Sequence, residues 1–89
     1  MNILCTPLYE EQLMYILEGM HNENKSLTKK FKLYLDTIII NLPTKAQKYK
    51  SSIYFDDETI KDIEHEGYTI IFYTDKESST YLILSILKK

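Results

Sequence analysis

His65 is the residue in this sequence that best suits acid–base chemistry. It lies between Glu64 and Glu66, and two neighbouring carboxylates favour the charged imidazolium. The same surroundings are typical of an ordinary histidine in an exposed polar turn, so two interpretations of His65 stay open: a general base or a solvated side chain. The other histidine, His21, follows an apolar helical stretch, where a cationic ring suits the negative end of the helix dipole.

Acidic side chains cluster at Asp56–Glu58 and Asp62. Hard cations need oxygen ligands that converge on one point, and an acidic loop is usually only solvated. The sequence also has two glycines, Gly19 and Gly67, which are too few for a glycine-rich phosphate-binding loop. The sequence therefore predicts neither a metal site nor a bound cofactor.

The single cysteine, Cys5, cannot form an internal disulfide. Its setting between Leu4 and Thr6 predicts a short buried strand, in which a thiol behaves as a small apolar side chain. The first residues lack the basic start and long apolar core of a signal peptide, and no apolar run reaches the length of a membrane span. We therefore expect a protein of the reducing cytoplasm with no membrane partner.

Lysine supplies all eleven basic residues, against thirteen acidic ones, and arginine is absent. Arginine is the side chain best suited to phosphates and guanine edges. Residues 24–50 hold seven lysines and one acid, a net charge of +6, whereas residues 51–77 hold eight acids and two lysines, a net charge of −6. Two interpretations stay open: both are solvated surfaces, or the basic one binds an anionic partner such as an acidic protein tail or nucleic acid. The candidate partner-binding residues are Lys25, Lys29, Lys32, Lys48 and Lys50, with the Tyr49 ring beside them.

Two amphipathic helices are predicted in the first half of the chain. Thr6 followed by Pro7 is a typical helix start, and apolar residues spaced by three and four positions then continue to residues 21–24. A second helix begins near Asn24 or Ser26, and Pro43 ends it. Two such helices joined by a short polar link form an antiparallel hairpin whose apolar side covers a sheet.

Strands are predicted at residues 2–6, before the first helix, and at 68–74 and 80–86, which form a β-hairpin. Gly67 provides positive φ in a polar turn at residues 64–67. One further strand precedes that turn, and the pattern leaves open whether it is 52–55 or 59–63. The sequence thus predicts one α+β domain over residues 1–89 in the order β-α-α-β-β-β, with a small, mainly antiparallel sheet.

The predicted core follows from the apolar stripes of the helices and the hairpin strands. A chain of 89 residues buries only a modest fraction of its surface, so we expect a domain that a partner stabilises. The residues expected to be buried are Leu17, Phe31, Leu35, Ile38, Ile71 and Leu84.

The chain resembles the RelE/ParE superfamily of bacterial toxins. The resemblance rests on Thr6-Pro-Leu-Tyr, on Ile40-Asn-Leu-Pro, on Ile60-Lys-Asp-Ile, and above all on the closing strands Gly67-Tyr-Thr-Ile-Ile-Phe-Tyr and Tyr81-Leu-Ile-Leu-Ser-Ile. It implies the toxin of a type II toxin–antitoxin pair, held inactive by a cognate antitoxin. It also implies a RelE/ParE-like fold. The expected assembly is a homodimer or a toxin–antitoxin hetero-oligomer.

The chain departs from the pattern of the ribosome-dependent mRNA-cleaving members. Thr69 stands where many relatives have arginine, and Leu87, Lys88 and Lys89 follow the last strand without a tyrosine-bearing tail. If the protein is nevertheless a nuclease, the resemblance leaves Lys61, His65, Lys88 and Lys89 as its catalytic residues. In-line cleavage needs a proton acceptor and a proton donor besides cations, and the lysines supply only cations. The resemblance thus favours ParE-like inhibition of DNA gyrase by binding, with a RelE-like ribosome-dependent endoribonuclease or a non-toxic family member as alternatives.

Overall fold

The computed structural model describes residues 2–89 and shows a four-stranded mixed sheet with two long helices on one face. The sheet order is β1-β4-β3-β2, with β1 parallel to β4 and the other neighbours antiparallel. This confirms the predicted α+β class and the order β-α-α-β-β-β, to which the structure adds a short third helix. The elements are β1 (Asn2–Cys5), α1 (Pro7–Glu23), α2 (Lys25–Ile40), α3 (Leu42–Lys45), a 3₁₀ turn (Ala46–Lys48), β2 (Ile60–His65), β3 (Tyr68–Asp75) and β4 (Thr80–Lys88).

Local capping fixes the boundaries of the long helices. The Thr6 hydroxyl accepts a hydrogen bond from the Tyr9 backbone N–H at 3.0 Å, which starts α1 as predicted. Asn24 ends α1 and starts α2, because its N–H donates to the Met20 carbonyl at 2.8 Å and its side-chain oxygen accepts from Leu27 N–H. α2 ends at Ile40, before Pro43, as predicted. Pro43 lies in the first turn of α3, where a helix does not need its missing N–H.

The hairpin between β2 and β3 settles which segment is the second strand. Ile63 lies opposite Ile70 and His65 opposite Tyr68, so the strand is 60–65, and Ser51 contributes only one isolated bridge. The turn is narrower than the predicted 64–67. Within those four residues, only Glu66 and Gly67 have positive φ, at 49° and 82°. Positive φ at both central residues is the requirement of a two-residue type I′ hairpin.

The parallel strand β1 covers only the first half of the β4 edge, opposite residues 80–83. Beyond residue 83, two side chains, from the N-cap of α1 and from α1 itself, form hydrogen bonds with the exposed edge of β4. The Thr6 hydroxyl donates to the Leu84 carbonyl at 2.7 Å, and the Ile86 N–H donates to the Gln12 side-chain oxygen at 2.9 Å. These bonds fix α1 across the sheet.

The core lies between the helices and one face of the sheet. Phe31, Leu35 and Ile71 are buried as predicted, although Ile71 is on the sheet face away from the helices. The predictions for Leu17, Ile38 and Leu84 are wrong, because all three are only half-buried. The main cluster consists of Tyr9, Leu13, Phe31, Leu35, Ile39, Leu42, Ala46, Ile63, Ile70, Phe72, Tyr81, Ile83 and Ile86.

Cys5 is exposed, and the prediction of a buried thiol is wrong. The physical reason is that β1 is an edge strand of four residues, three of them exposed. Within residues 2–89, none of the helices combines the length and the apolar character needed to cross a bilayer.

Candidate functional site

The sequence had suggested that His65 lies in an exposed turn. In the structure, His65 is instead the last residue of β2. The structure extends β2 two residues further than predicted and places His65 under α2. Its ring centroid lies 5.1 Å from that of Phe31, which packs edge-on against Tyr68 at 5.4 Å. Its Nε2 atom is buried and has no hydrogen-bond partner among the described residues. A half-buried ring packed against Phe31 is poorly placed to reach a substrate proton.

The other candidate nuclease residues lie at separate places on the sheet. Lys88 is opposite Tyr68, and Tyr68 is opposite His65, so these three share one end of the helix-facing side. Lys61 lies on the same side but is separated from His65 by Ile63, and its Nζ donates to the Ala46 carbonyl at 3.4 Å.

Lys89 follows β4 and turns to the opposite face of the sheet, where its Nζ lies 3.3 Å from a Glu64 carboxylate oxygen. The same carboxylate accepts a hydrogen bond from the Thr69 hydroxyl at 3.1 Å. Thr69, the position where the resemblance implies arginine in many relatives, is thus tied to a glutamate. The four candidates do not converge on one point where a phosphodiester would be held by cations beside an acid–base pair.

The candidate partner-binding residues form two groups. Lys25, Lys29 and Lys32 are spaced by four and three positions on α2 and therefore share one stripe. Lys32 pairs with Asp36 through an Nζ–Oδ2 distance of 2.6 Å. Helix α2 has sixteen residues, and it spans about 24 Å at 1.5 Å per residue.

The second group, Lys48, Tyr49 and Lys50, follows the far end of α2. The Lys48 Nζ lies 5.1 Å from the centre of the Tyr49 ring, and that ring packs edge-on against Phe72 at 6.0 Å. Tyr49 is therefore half-buried against the core, with less ring surface for a partner than its position in the sequence had suggested.

A groove of about 840 Å³ lies between α1 and α2, and the sequence did not predict it. Its walls are mainly apolar, with Tyr9, Leu13 and Ile39 at the base and the pair Lys32–Asp36 on the rim. An apolar groove with a few polar groups is the usual form of a binding site. The amphipathic pattern of α1 had indicated only a core-facing stripe, because the width of the space between two helices is a tertiary property.

Tyr9, at the bottom of the groove, has a buried hydroxyl. The side chain is 3% exposed, and its hydroxyl has no hydrogen-bond partner within residues 2–89. Burial raises the pKa of the Tyr9 phenol, and the nearby Cys5 and Asp36 raise it further. The phenol therefore stays neutral, and its hydroxyl is enclosed beneath the surface of the groove.

Acidic and thiol groups are too dispersed to form a metal centre. Within the described residues 2–89, no three histidine, cysteine, aspartate or glutamate side chains are grouped so that they could hold an ion. The surfaces described above offer apolar contact, charge and hydrogen bonds, which are the means of binding another macromolecule.

Comparison with known proteins agrees with the observed topology. Neither a protein-family model nor a curated protein matches the sequence. Among solved structures, a chain of the chromosomal ParDE TA system from P. aeruginosa is similar over 99% of this chain and 95% of that one, with a TM-score of 0.77 and 13% identity. A chain of the toxin–antitoxin complex RelBE2 from Mycobacterium tuberculosis is similar over 99% of this chain and 96% of that one, with a TM-score of 0.65 and 11% identity.

At 13% and 11% identity the similarity concerns the backbone, not the side chains of a site. The chain therefore has the RelE/ParE-like fold that its sequence resemblance implied.

Proposed function

We propose that this chain is the toxin of a type II toxin–antitoxin pair and that a cognate antitoxin neutralises it. The observation that carries the proposal is the similarity of fold, over nearly the full length of both chains, to a chain of the ParDE system. The exposed apolar side chains of α1 and α2 support it, since a marginally sized domain with such surface gains stability from a partner.

The groove between α1 and α2 supports the choice of partner. An amphipathic helix of the antitoxin would bury its apolar side against Leu13 and Ile39 at the bottom of the groove. Lys25, Lys29 and Lys32 lie along α2, where acidic residues of the same segment would be attracted. The expected assembly is a toxin–antitoxin hetero-oligomer in the cytoplasm, with a homodimer as the alternative.

For the mode of action we propose inhibition by binding, as in ParE-like inhibition of DNA gyrase. What supports this mode is the dispersal of Lys61, His65, Lys88 and Lys89, with Lys61 on a backbone carbonyl and Lys89 on Glu64. RelE-like cleavage of mRNA on the ribosome is the second candidate. It is supported by the alignment of His65, Tyr68 and Lys88 across three strands, which places a candidate base and a cation on one face of the sheet.

Controlled expression in a bacterial host tests the proposal. Induction of the chain alone should arrest growth, and co-expression of the short protein encoded beside its gene should restore it. Purified protein should then inhibit DNA supercoiling by gyrase, with no codon-positioned cuts in translated mRNA by primer extension. Cuts that disappear in Lys61→Ala with Lys88→Ala would establish the nuclease instead. Growth without arrest would identify a non-toxic member of the fold.

A further inference from the structure

The segment between the 3₁₀ turn and β2 exposes three consecutive large apolar side chains. Ile53, Tyr54 and Phe55 are 84%, 49% and 46% exposed. Contact of such surface with water is unfavourable, and an exposed run of this kind marks an interaction site more often than a structural need. Two of the three are aromatic, the residue class that contributes most to binding at protein interfaces.

The backbone of this segment is held in place at both ends. At the start, the Ser52 N–H donates to the Ile60 carbonyl at 2.8 Å and the Ile53 N–H donates to the Asp62 carboxylate at 3.1 Å. At the end, the Thr74 N–H of β3 donates to the Thr59 carbonyl at 3.0 Å, and Asp57 accepts from the Thr59 N–H at 2.8 Å. A loop already ordered in the free protein loses little conformational entropy when it binds.

Negative charge follows the three apolar side chains along the loop. Asp56, Asp57 and Glu58 follow them directly and are all exposed. Asp62 lies at the base of the loop, and in the described part of the chain its Oδ1 atom is buried without a hydrogen-bond donor. Lys61 is the one base in residues 51–64, and its Nζ is directed at the Ala46 carbonyl on the helix-facing side.

This charge decides which kind of partner the loop fits. Nucleic acid would be repelled by the carboxylates, because phosphate binding depends on lysine and arginine. A bilayer rich in anionic lipid would be repelled for the same reason, although the aromatic residues alone would suit a membrane interface. A protein surface with an apolar cavity bordered by lysine or arginine is complementary in both respects.

We propose that the loop at residues 53–58 is the surface through which the protein engages the target that it inhibits, a protein with an apolar cavity rimmed by basic side chains. The inference rests on the proposed function as an inhibitor that acts by binding. It separates two surfaces of opposite charge: the acidic loop for the target and the basic α2 stripe for the antitoxin. An arginine of the target would also find a cation–π partner in Tyr54.

Growth arrest on expression of the full chain tests the proposal with Tyr54→Ser combined with Phe55→Ser. Loss of two aromatic contacts should raise the surviving fraction by about tenfold or more. Asp56→Lys combined with Glu58→Lys should act in the same direction through charge. The matched control is Leu33→Ser combined with Tyr34→Ser, two exposed apolar residues on α2, which should arrest growth as the wild type does. Far-UV circular dichroism and the thermal midpoint of each purified variant should match the wild type.

The outcomes separate the two proposals. If the wild type does not arrest growth, the proposed function fails and the inference fails with it. If the wild type arrests growth and the folded loop variants arrest it equally, the loop assignment alone is overturned. Wild-type co-sedimentation with phosphatidylglycerol vesicles that the loop variants lose would also overturn it, in favour of a membrane. Growth arrest lost in both loop variants and kept in the control supports the proposal.

Discussion

At the scale of single residues, Tyr9 combines deep burial with a hydroxyl that has no partner within residues 2–89. Desolvation of a hydroxyl without a compensating hydrogen bond costs about 1–3 kcal/mol in proteins. In the free protein, a phenylalanine ring would fill the same space without that cost. The Tyr9 hydroxyl therefore lowers the stability of the free protein, at a residue that lines the groove proposed for the antitoxin segment.

The first prediction is that Tyr9→Phe stabilises the free protein. The free energy of unfolding should rise by about 1 kcal/mol, because the buried unpartnered hydroxyl is removed. Urea denaturation measures this change. Tyr15→Phe is the control, since Tyr15 is 79% exposed on the same helix and should change nothing. A Tyr9→Phe variant that is less stable than the wild type would show that the hydroxyl has a stabilising role in the free protein.

The pH dependence of stability gives the same residue a second readout. Burial raises the pKa of Tyr9 above its ordinary value of 10.0, so the folded state holds the phenolic proton more tightly than the unfolded state. The resulting contribution of Tyr9 to the free energy of unfolding is complete below pH 10.0, the ordinary pKa. It is lost as the pH rises from 10.0 towards the raised pKa of the folded state. Tyr9→Phe should therefore lose less stability than the wild type between about pH 9 and pH 11, measured by urea denaturation at each pH.

At the scale of elements, side-chain hydrogen bonds join α1 and its N-cap to the half of β4 that β1 does not cover. Gln12 accepts the Ile86 N–H at 2.9 Å where no strand continues the sheet on that side. We predict that Gln12→Ala lowers the free energy of unfolding by about 1–2 kcal/mol, since a partly buried N–H loses its acceptor. Hydrogen exchange at the Ile86 amide should accelerate more than at other amides of β4. The exposed neighbour Glu11→Ala is the control, and equal effects of the two substitutions would contradict the prediction.

The sheet interior provides a contrast between two apolar positions. Phe72 is fully buried and meets the rings of Tyr49 and Tyr81 edge-on at 6.0 and 6.2 Å. Leu84 is the extra residue of a bulge, since Ile71 pairs with Ser85 and Phe72 with Ile83, and it is half-buried. We predict that Phe72→Ala costs about 3–5 kcal/mol and Leu84→Ala less than about 1.5 kcal/mol in urea denaturation. Similar costs for the two would mean that Leu84 contributes to the core in solution.

The elements also show which features a sequence can predict. Thr6, Pro7 and Asn24 act on backbone groups within four residues of themselves, so the helix boundaries are readable from neighbours in the chain. The strands 68–75 and 80–88 are similarly marked by their own composition. The exposure of Cys5 and the half-burial of Leu84 depend on the sheet order and on a bulge, and both involve partners far away in sequence.

The candidate site was predictable to a smaller extent than the fold. The sequence identified the lysines and His65 by residue type. The face of the sheet on which each one lies depends on strand register, and Lys61 and Lys89 lie on opposite faces. The groove with Tyr9 depends on the spacing of two helices, and no periodicity encodes it. The sequence showed the loop at 53–58 as an ambiguous strand candidate followed by the acidic cluster Asp56–Glu58, and it did not predict the exposure of Ile53 and Phe55.

At the scale of the whole molecule, the separated charges predict how the proposed antitoxin associates. Lys25→Glu combined with Lys29→Glu should slow association with the protein that restores growth by about threefold to tenfold, because the attraction of its acidic residues is reversed. Both lysines are exposed, and the thermal midpoint of the free domain should stay nearly unchanged. Stopped-flow mixing at increasing salt measures the rate, which should fall as the Debye length shortens.

The control for this prediction is Lys76→Glu, in the turn between β3 and β4, which makes a single charge reversal on the acidic half. It should leave the association rate close to the wild-type value. An association rate that is independent of salt and of both lysine substitutions would mean that the α2 stripe is only solvated and that the antitoxin binds elsewhere.

The parallel pairing of β1 with β4 has a consequence for the synthesis of the protein. Thr6 and Leu84, joined by a hydrogen bond, are 78 residues apart in sequence. A ribosome releases β1 and both long helices before it releases β4, so the growing chain exposes the apolar side of those helices with no sheet to cover it. Closing so large a loop is also a slow step in folding. The finished surface therefore arises only after translation has passed β4.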